Sequence, residues 1–207
     1  LCAVSRVGRA EEVGNQSLRG VLARVLHTGD PGLWWLLAAA LALFAGLAVA
    51  TAAGVAGPRL PSAPAWTAVC CATTALLVSP VSWSHHWVWC VPTVLLLGSE
   101  ALRRRSKAWW TATGAAALLF CSYLIWLVPH GPHAPELDLD TGWLLLSALY
   151  PAFGAALLAL GGCLAVSALL SSPGRGSRVQ MAGASTTAPA GREPAQRPGR
   201  RLVRPLR

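Results

Sequence analysis

Leu33-Trp34-Trp35-Leu36-Leu37-Ala38-Ala39-Ala40-Leu41-Ala42-Leu43-Phe44-Ala45-Gly46-Leu47-Ala48-Val49-Ala50-Thr51-Ala52-Ala53 decides the fold. No charged residue interrupts it. A helix rises ~1.5 Å per residue, so a stretch of this length covers the ~30 Å hydrocarbon core of a bilayer. Four more apolar stretches follow, at residues 65–78, 87–102, 109–128 and 143–170. The last is long enough to tilt within a membrane. The second and third are short, and a re-entrant pair is the alternative to two full spans. Composition agrees: the 207 residues are 54% hydrophobic and 12% charged, against about a quarter charged in soluble domains. The expected fold is all-α, a polytopic transmembrane helical bundle of about five spans over residues 33–170. An extracytoplasmic segment at 1–32 precedes it, and a disordered basic tail at 171–207 follows.

The formal charge of +9 does not read as a nucleic-acid surface. The basic residues flank hydrophobic stretches or lie in the Pro/Gly/Ala/Arg-rich tail, where they suit anionic lipid headgroups. Arg103-Arg104-Arg105 and Lys107 make a dense basic connection, expected on the cytoplasmic side together with the tail. Counting spans from there places residues 1–32, the break at 79–87 and the acidic connection with Glu136, Asp138 and Asp140 outside. The chain starts at Leu1 and its single methionine is Met181, which is read as the C-terminal part of a larger membrane protein. Of the six cysteines, all but Cys2 lie in apolar stretches and none forms a CxxC pair. A disulfide framework or zinc site is therefore not expected.

Ser79-Pro80-Val81-Ser82-Trp83-Ser84-His85-His86-Trp87 breaks two apolar stretches with hydroxyls, indoles and adjacent histidines. Polar, titratable groups clustered at a membrane surface mark a functional site. Histidine titrates near neutrality and serves as hydrogen-bond donor or base. Adjacent positions do not share a helix face, so the pair suits a phosphate or sugar hydroxyl better than joint metal ligation. The bland reading is two interfacial histidines with Trp83, Trp87 and Trp89 as anchors. The second polar motif is Gly14-Asn15-Gln16-Ser17, followed by Arg19. It either caps a helix or offers an anion site at a helix N-terminus. Residues 15–26 read as an amphipathic interfacial helix. Leu18, Val21, Leu22, Val25 and Leu26 lie on one face, and Gln16, Arg19 and His27 on the other. The span count puts both polar motifs on the same face, where they are expected to share one site.

"GNQSLRGVLAR" (14–24) before one hydrophobic span and "SPVSWSHHWVW" (79–89) after another resemble the actinobacterial polyprenyl-phosphate-mannose-dependent α-1,2-mannosyltransferases of glycosyltransferase family 87. The motifs carry the resemblance over residues 14–89. It implies a glycosyltransferase C-type fold, a polyprenyl-phosphate-mannose donor and a mannosylated lipid or glycan acceptor at the extracytoplasmic face. No cofactor beyond the lipid-linked donor is implied. His85 and His86 become candidate catalytic residues, contacting the leaving phosphate or the acceptor. Asn15, Gln16, Ser17, Arg19, Ser82 and Trp83 become candidate substrate-binding residues. In this fold a carboxylate in the first extracytoplasmic loop is the usual base, and nothing here matches that loop. The rival readings are a transporter or flippase, which would line its spans with polar groups, and a structural membrane segment.

Overall fold

A computed structural model describes residues 8–171. The tail expected from 171 onward, and Cys2, lie outside the described residues apart from Ser171 itself. Seven α-helices follow in order: α1 (Leu18–Val25), α2 (Gly32–Ala56), α3 (Ala63–Val78), α4 (Cys90–Arg104), α5 (Lys107–Cys121), α6 (Thr141–Ser147) and α7 (Leu149–Leu170). Short 3-10 turns occupy Gly57–Arg59, Ser84–Trp89, Leu124–Leu127 and Pro135–Leu137. Among the described residues there is no β-strand, only an isolated bridge between Asn15 and Trp83. The all-α expectation holds.

The spans differ from the sequence reading in length. Among the described residues, two helical segments are long and apolar enough to cross a membrane, Gly32–Arg59 and Leu149–Leu170. Only a minor part of either is buried within the protein. Leu33, Trp34, Leu37, Leu41 and Phe44 stand exposed along α2, an apolar surface that water would not tolerate. These are lipid-facing helices, and the protein is membrane-associated. At 15 residues each, α4 and α5 reach only about 22 Å. The stretch at 87–102 enters its helix late because Ser84–Trp89 winds as a 3-10 turn. The stretch at 109–128 stops at Cys121, where Tyr123 takes a left-handed conformation (φ 55°). The stretch at 143–170 is two helices, broken at Ala148.

α2, α3 and α7 form the main packing unit. Gly54 faces Thr67 and Gly46 faces Thr74, so α2 and α3 run antiparallel. Gly154 lies against Leu77 and Thr73, and Gly161 against Cys70, so α7 is antiparallel to α3 as well. A Cβ on Gly161 would stand 2.9 Å from the Cys70 sulfur. Small residues permit this close backbone approach, which drives helix association where lipid removes the hydrophobic effect. Ala50, Ala53, Trp66, Val69, Leu157 and Ala165 fill the core between them. α4 pairs with α5, and Trp109 meets Trp66 edge-on at 6.5 Å.

This threading sorts the connections to two ends. Arg59, Arg103, Arg104, Arg105 and Lys107 lie at the turns after α2 and α4. There the buried Glu100 holds Arg103 and Arg104. The opposite end gathers residues 8–32, 79–89 and 122–148, over a second core of Leu77, Trp87, Ile125 and Tyr150.

The polar side of α1 packs against the protein instead of lying open to a headgroup. Its buried residues are Gly20, Ala23 and Arg24, while Val25 and Leu26 are exposed. The polar side faces the protein because Arg24 finds its acceptors there, while Leu18 packs against the second core and Val25 and Leu26 stay exposed. The helix also starts at Leu18; Asn15, Gln16 and Ser17 precede it, with Ser17 as cap.

Candidate functional site

The polar end is built on a joint between the two sequence motifs. Gln16 N–H donates to the Ser82 carbonyl (2.7 Å), and Ser84 N–H to the Gly14 carbonyl (2.9 Å). The Asn15 side chain fastens the joint. Its Oδ1 accepts from Ser82 N–H (3.0 Å) and Ser17 N–H (3.3 Å). Its Nδ2 donates to the carbonyls of Ala10 (3.1 Å) and Pro80 (3.4 Å). An amide offers two donors and two acceptor lone pairs, and all four are occupied. Asn15 is fully buried.

A second knot lies behind the first. Arg24 is fully buried and donates to Ser147 Oγ (3.0 Å), Ser147 O (3.1 Å), Glu11 O (3.3 Å), Glu12 O (3.0 Å) and Asn15 O (3.2 Å). Burial pushes its pKa down to about 10, against the pull of the Glu136 carboxylate, so it remains a cation at neutral pH. Gln16 Nε2 donates to the carbonyls of Val13 (2.7 Å) and Ser147 (3.0 Å). Ser17 Oγ accepts from Gly20 N–H (3.2 Å) and starts α1.

The sequence-predicted residues therefore divide. Asn15, Gln16 and Ser17 lie within the buried joint. Arg19 lies apart from it, facing Asp30 (3.7 Å) and stacked over Trp35 at 5.4 Å. Ser82, Trp83, His85 and His86 stay together on the break. His85 and His86 are exposed, with rings edge-on at 4.4 Å. The Trp83 N–H donates to His86 Nδ1 (3.2 Å). A neutral imidazole that accepts at Nδ1 carries its proton on Nε2, so His86 presents a donor.

Two openings flank the break. A groove of about 560 Å³ runs along α3, walled by Ala68, Cys71, Ala72, Ala75 and Leu76. Ser79, Ser82, His86 and Trp89 form its polar head. The Ser82 hydroxyl is buried with no partner among the described residues. The second opening, a cleft of about 320 Å³, includes Arg9, Glu12, Gly14, Trp83, Trp126, His130 and Glu136. Sequence reading left Arg24 unassigned and took Glu136 for part of a solvated acidic connection. The structure buries both. The available signal for Arg24 was a lone cation beside small residues on the polar side of an amphipathic helix.

Known proteins are similar to this chain over the same region. Residues 2–80 match the model of glycosyltransferase family 87. A polyprenol-phosphate-mannose-dependent alpha-(1-2)-phosphatidylinositol mannoside mannosyltransferase of Mycolicibacterium smegmatis is 42% identical over 116 residues, which are 55% of this chain and 26% of that protein. Its namesake in Mycobacterium tuberculosis is 39% identical over 103 residues, 50% of this chain and 23% of that protein. A phosphatidylinositol pentamannoside mannosyltransferase of Mycobacterium tuberculosis is 38% identical over 104 residues, again 50% of this chain and 23% of that protein. The chain spans about a quarter of the length of the curated relatives it matches. No solved structure matches it. The family match covers the segment that carries Asn15, Arg24, the whole of α2 and α3 and the Ser79-Pro80 start of the break.

Proposed function

We propose that this chain supplies the donor-lipid site of a membrane mannosyltransferase that uses polyprenyl-phosphate-mannose. The observation that carries the reading is the α3 groove: an apolar channel that ends at Ser82 and His86. The polyprenyl chain lies along Ala68, Ala72 and Ala75, and the phosphate meets the Ser82 hydroxyl and the His86 Nε2–H. Transfer breaks the bond between the sugar C1 and the phosphate oxygen, and the electron pair stays on the phosphate. The acceptor hydroxyl oxygen bonds to C1 and releases its proton to a general base. Charge builds on the departing phosphate, and a fixed N–H donor in a partly dehydrated site stabilises it. His85, exposed beside His86, contributes a second imidazole at the mouth. Asn15, Gln16 and Ser17 act one step back, holding the break in register. Arg19, turned to Asp30 and Trp35, stands outside the groove.

The acceptor is a mannosylated lipid or glycan, in keeping with the relatives' names, which specify phosphatidylinositol mannosides. The site faces away from the cytoplasm. Supporting this, the connections holding Arg59 and Arg103–Lys107 gather at the end opposite the break, as cytoplasmic basic loops do.

The test is mannose transfer from radiolabelled polyprenyl-phosphate-mannose, in membranes carrying the protein. His86→Ala lowers transfer at least about tenfold, as loss of one transition-state donor does, with expression unchanged. Transfer at the wild-type rate in both His86→Ala and His85→Ala overturns the assignment. Translocation of the lipid without transfer would favour a flippase instead.

A further inference from the structure

The cleft on the other side of the break has no role in that proposal, and its chemistry differs from the groove's. Trp83 and Trp126 converge over Gly14: a Cβ there would stand 3.1 Å from Trp83 Cε3 and 3.4 Å from Trp126 Cη2. His130 sits edge-on to Trp126 at 5.7 Å. Its Nδ1 is 2.7 Å from the Val128 carbonyl, so that nitrogen carries the proton and Nε2 is left to accept. Glu136 lines the cleft and is 1% exposed. Its Oε2 has no hydrogen-bond partner among the described residues. Glu12 is paired with Arg9 (3.5 Å), and Arg9 donates to the Gly131 carbonyl (2.8 Å) to close the rim.

Indole faces beside a set of acceptors suit one kind of ligand. The axial and ring C–H groups of a pyranose pack on aromatic faces, while its hydroxyls donate to carboxylate and imidazole acceptors. Arg9 offsets Glu12, and the unpartnered Glu136 carboxylate disfavours an anion, so this cleft does not duplicate the phosphate head of the groove. A volume near 320 Å³ lies at the small end of the ~300–1,000 Å³ range of ligand pockets, too small for a lipid tail.

We propose that the cleft between Trp83, Trp126, His130 and Glu136 binds a neutral pyranose, the sugar end of the acceptor. The inference rests on the mannosyltransferase reading for which sugar it is, but the recognition of a neutral saccharide does not.

The test is binding of α-1,2-mannobiose to the full chain in nanodiscs, by saturation-transfer NMR. Decaprenyl phosphate binding is measured in parallel on the same preparation. Wild type binds the disaccharide. Glu136→Gln weakens it by about tenfold, the loss of one buried charged acceptor. Trp126→Ala, a partly exposed rim substitution that leaves the core untouched, weakens it to a similar degree. Equal affinity in wild type and both variants overturns the proposal, as does tetramethylammonium binding in place of the sugar. Decaprenyl phosphate bound without mannobiose sinks the cleft assignment alone. Mannobiose bound without decaprenyl phosphate sinks the donor groove and leaves the cleft.

Discussion

Replacing Asn15 by Asp separates a strut from a ligand contact. Asp has nearly the same shape, and its oxygens keep the bonds accepted from Ser82 N–H and Ser17 N–H. It loses both donated bonds, to the Ala10 and Pro80 carbonyls. It also brings an acceptor against those two acceptors in a fully buried position. A buried polar group left without its partner costs ~1–3 kcal/mol. Two carbonyls give about 3 kcal/mol after partial relaxation. For a chain of this size each kcal/mol moves Tm by about 2–4 °C, so Asn15→Asp melts roughly 6–12 °C below wild type. Tryptophan fluorescence in nanodiscs follows the melt, and amide exchange over residues 80–84 reports the joint directly. Faster exchange there, with the lowered Tm, is the expected pair of results. If Asn15 instead contacted the donor phosphate, the aspartate would repel it while leaving Tm within about 2 °C of wild type. That outcome, with exchange over 80–84 unchanged, refutes the strut.

Arg24→Lys keeps the buried charge but offers three N–H donors where the guanidinium serves five acceptor contacts. At least two of these five contacts are lost, and stability falls by about 1–3 kcal/mol, measurable as a lowered midpoint in the same melt. Ser82→Ala removes a hydroxyl that has no partner among the described residues. Stability should move by less than about 0.5 kcal/mol, while decaprenyl phosphate affinity drops several-fold in a nanodisc binding assay.

Much of this was legible from residue order. The unbroken apolar run at 33–53 has one physical solution, and α2 is it. The break at residues 79–89 was legible because polar groups between lipid-facing helices need a reason. The meeting of Asn15 with the break followed from counting spans. Helix ends were only partly legible. Tyr123 carries no sequence mark of a break, whereas Pro151 marks the one at Ala148: it has no N–H to give the Ser147 carbonyl, which accepts from Arg24 and Gln16 instead. Which side of α1 packs was hidden. Its periodicity is correct, but periodicity names two faces without saying which is inside. In water the leucine face would turn in. Here Val25 and Leu26 stay exposed, and Arg24, which lipid would reject, decides the orientation. Asn15 and Gln16 were read as ligand groups for a related reason. Polarity in a membrane chain signals function, but it serves equally for backbone satisfaction where water is scarce.

The two openings are tied by a single extended backbone. Trp83 has φ −60° and ψ 152° and pairs with Asn15 as an isolated bridge. In extended chain, successive side chains point to opposite sides. Ser82 accordingly lines the groove, and Trp83 lines the cleft. Two of the eight unpartnered buried atoms among the described residues lie at these openings: Ser82 Oγ belongs to a residue of the groove, and Glu136 Oε2 to one of the cleft. Trp66 Nε1 is equally unpartnered but sits in the main core, away from either opening. Buried polar atoms without partners are few in folded proteins and call for an explanation. On the proposals above, Ser82 Oγ would meet a phosphate and Glu136 Oε2 a sugar hydroxyl. A slip of one residue in the Asn15–Trp83 pairing would exchange the sides, turning the indole into the lipid groove and the hydroxyl toward the sugar. The four hydrogen bonds of Asn15 fix that register, so Asn15 determines which side chain faces each opening.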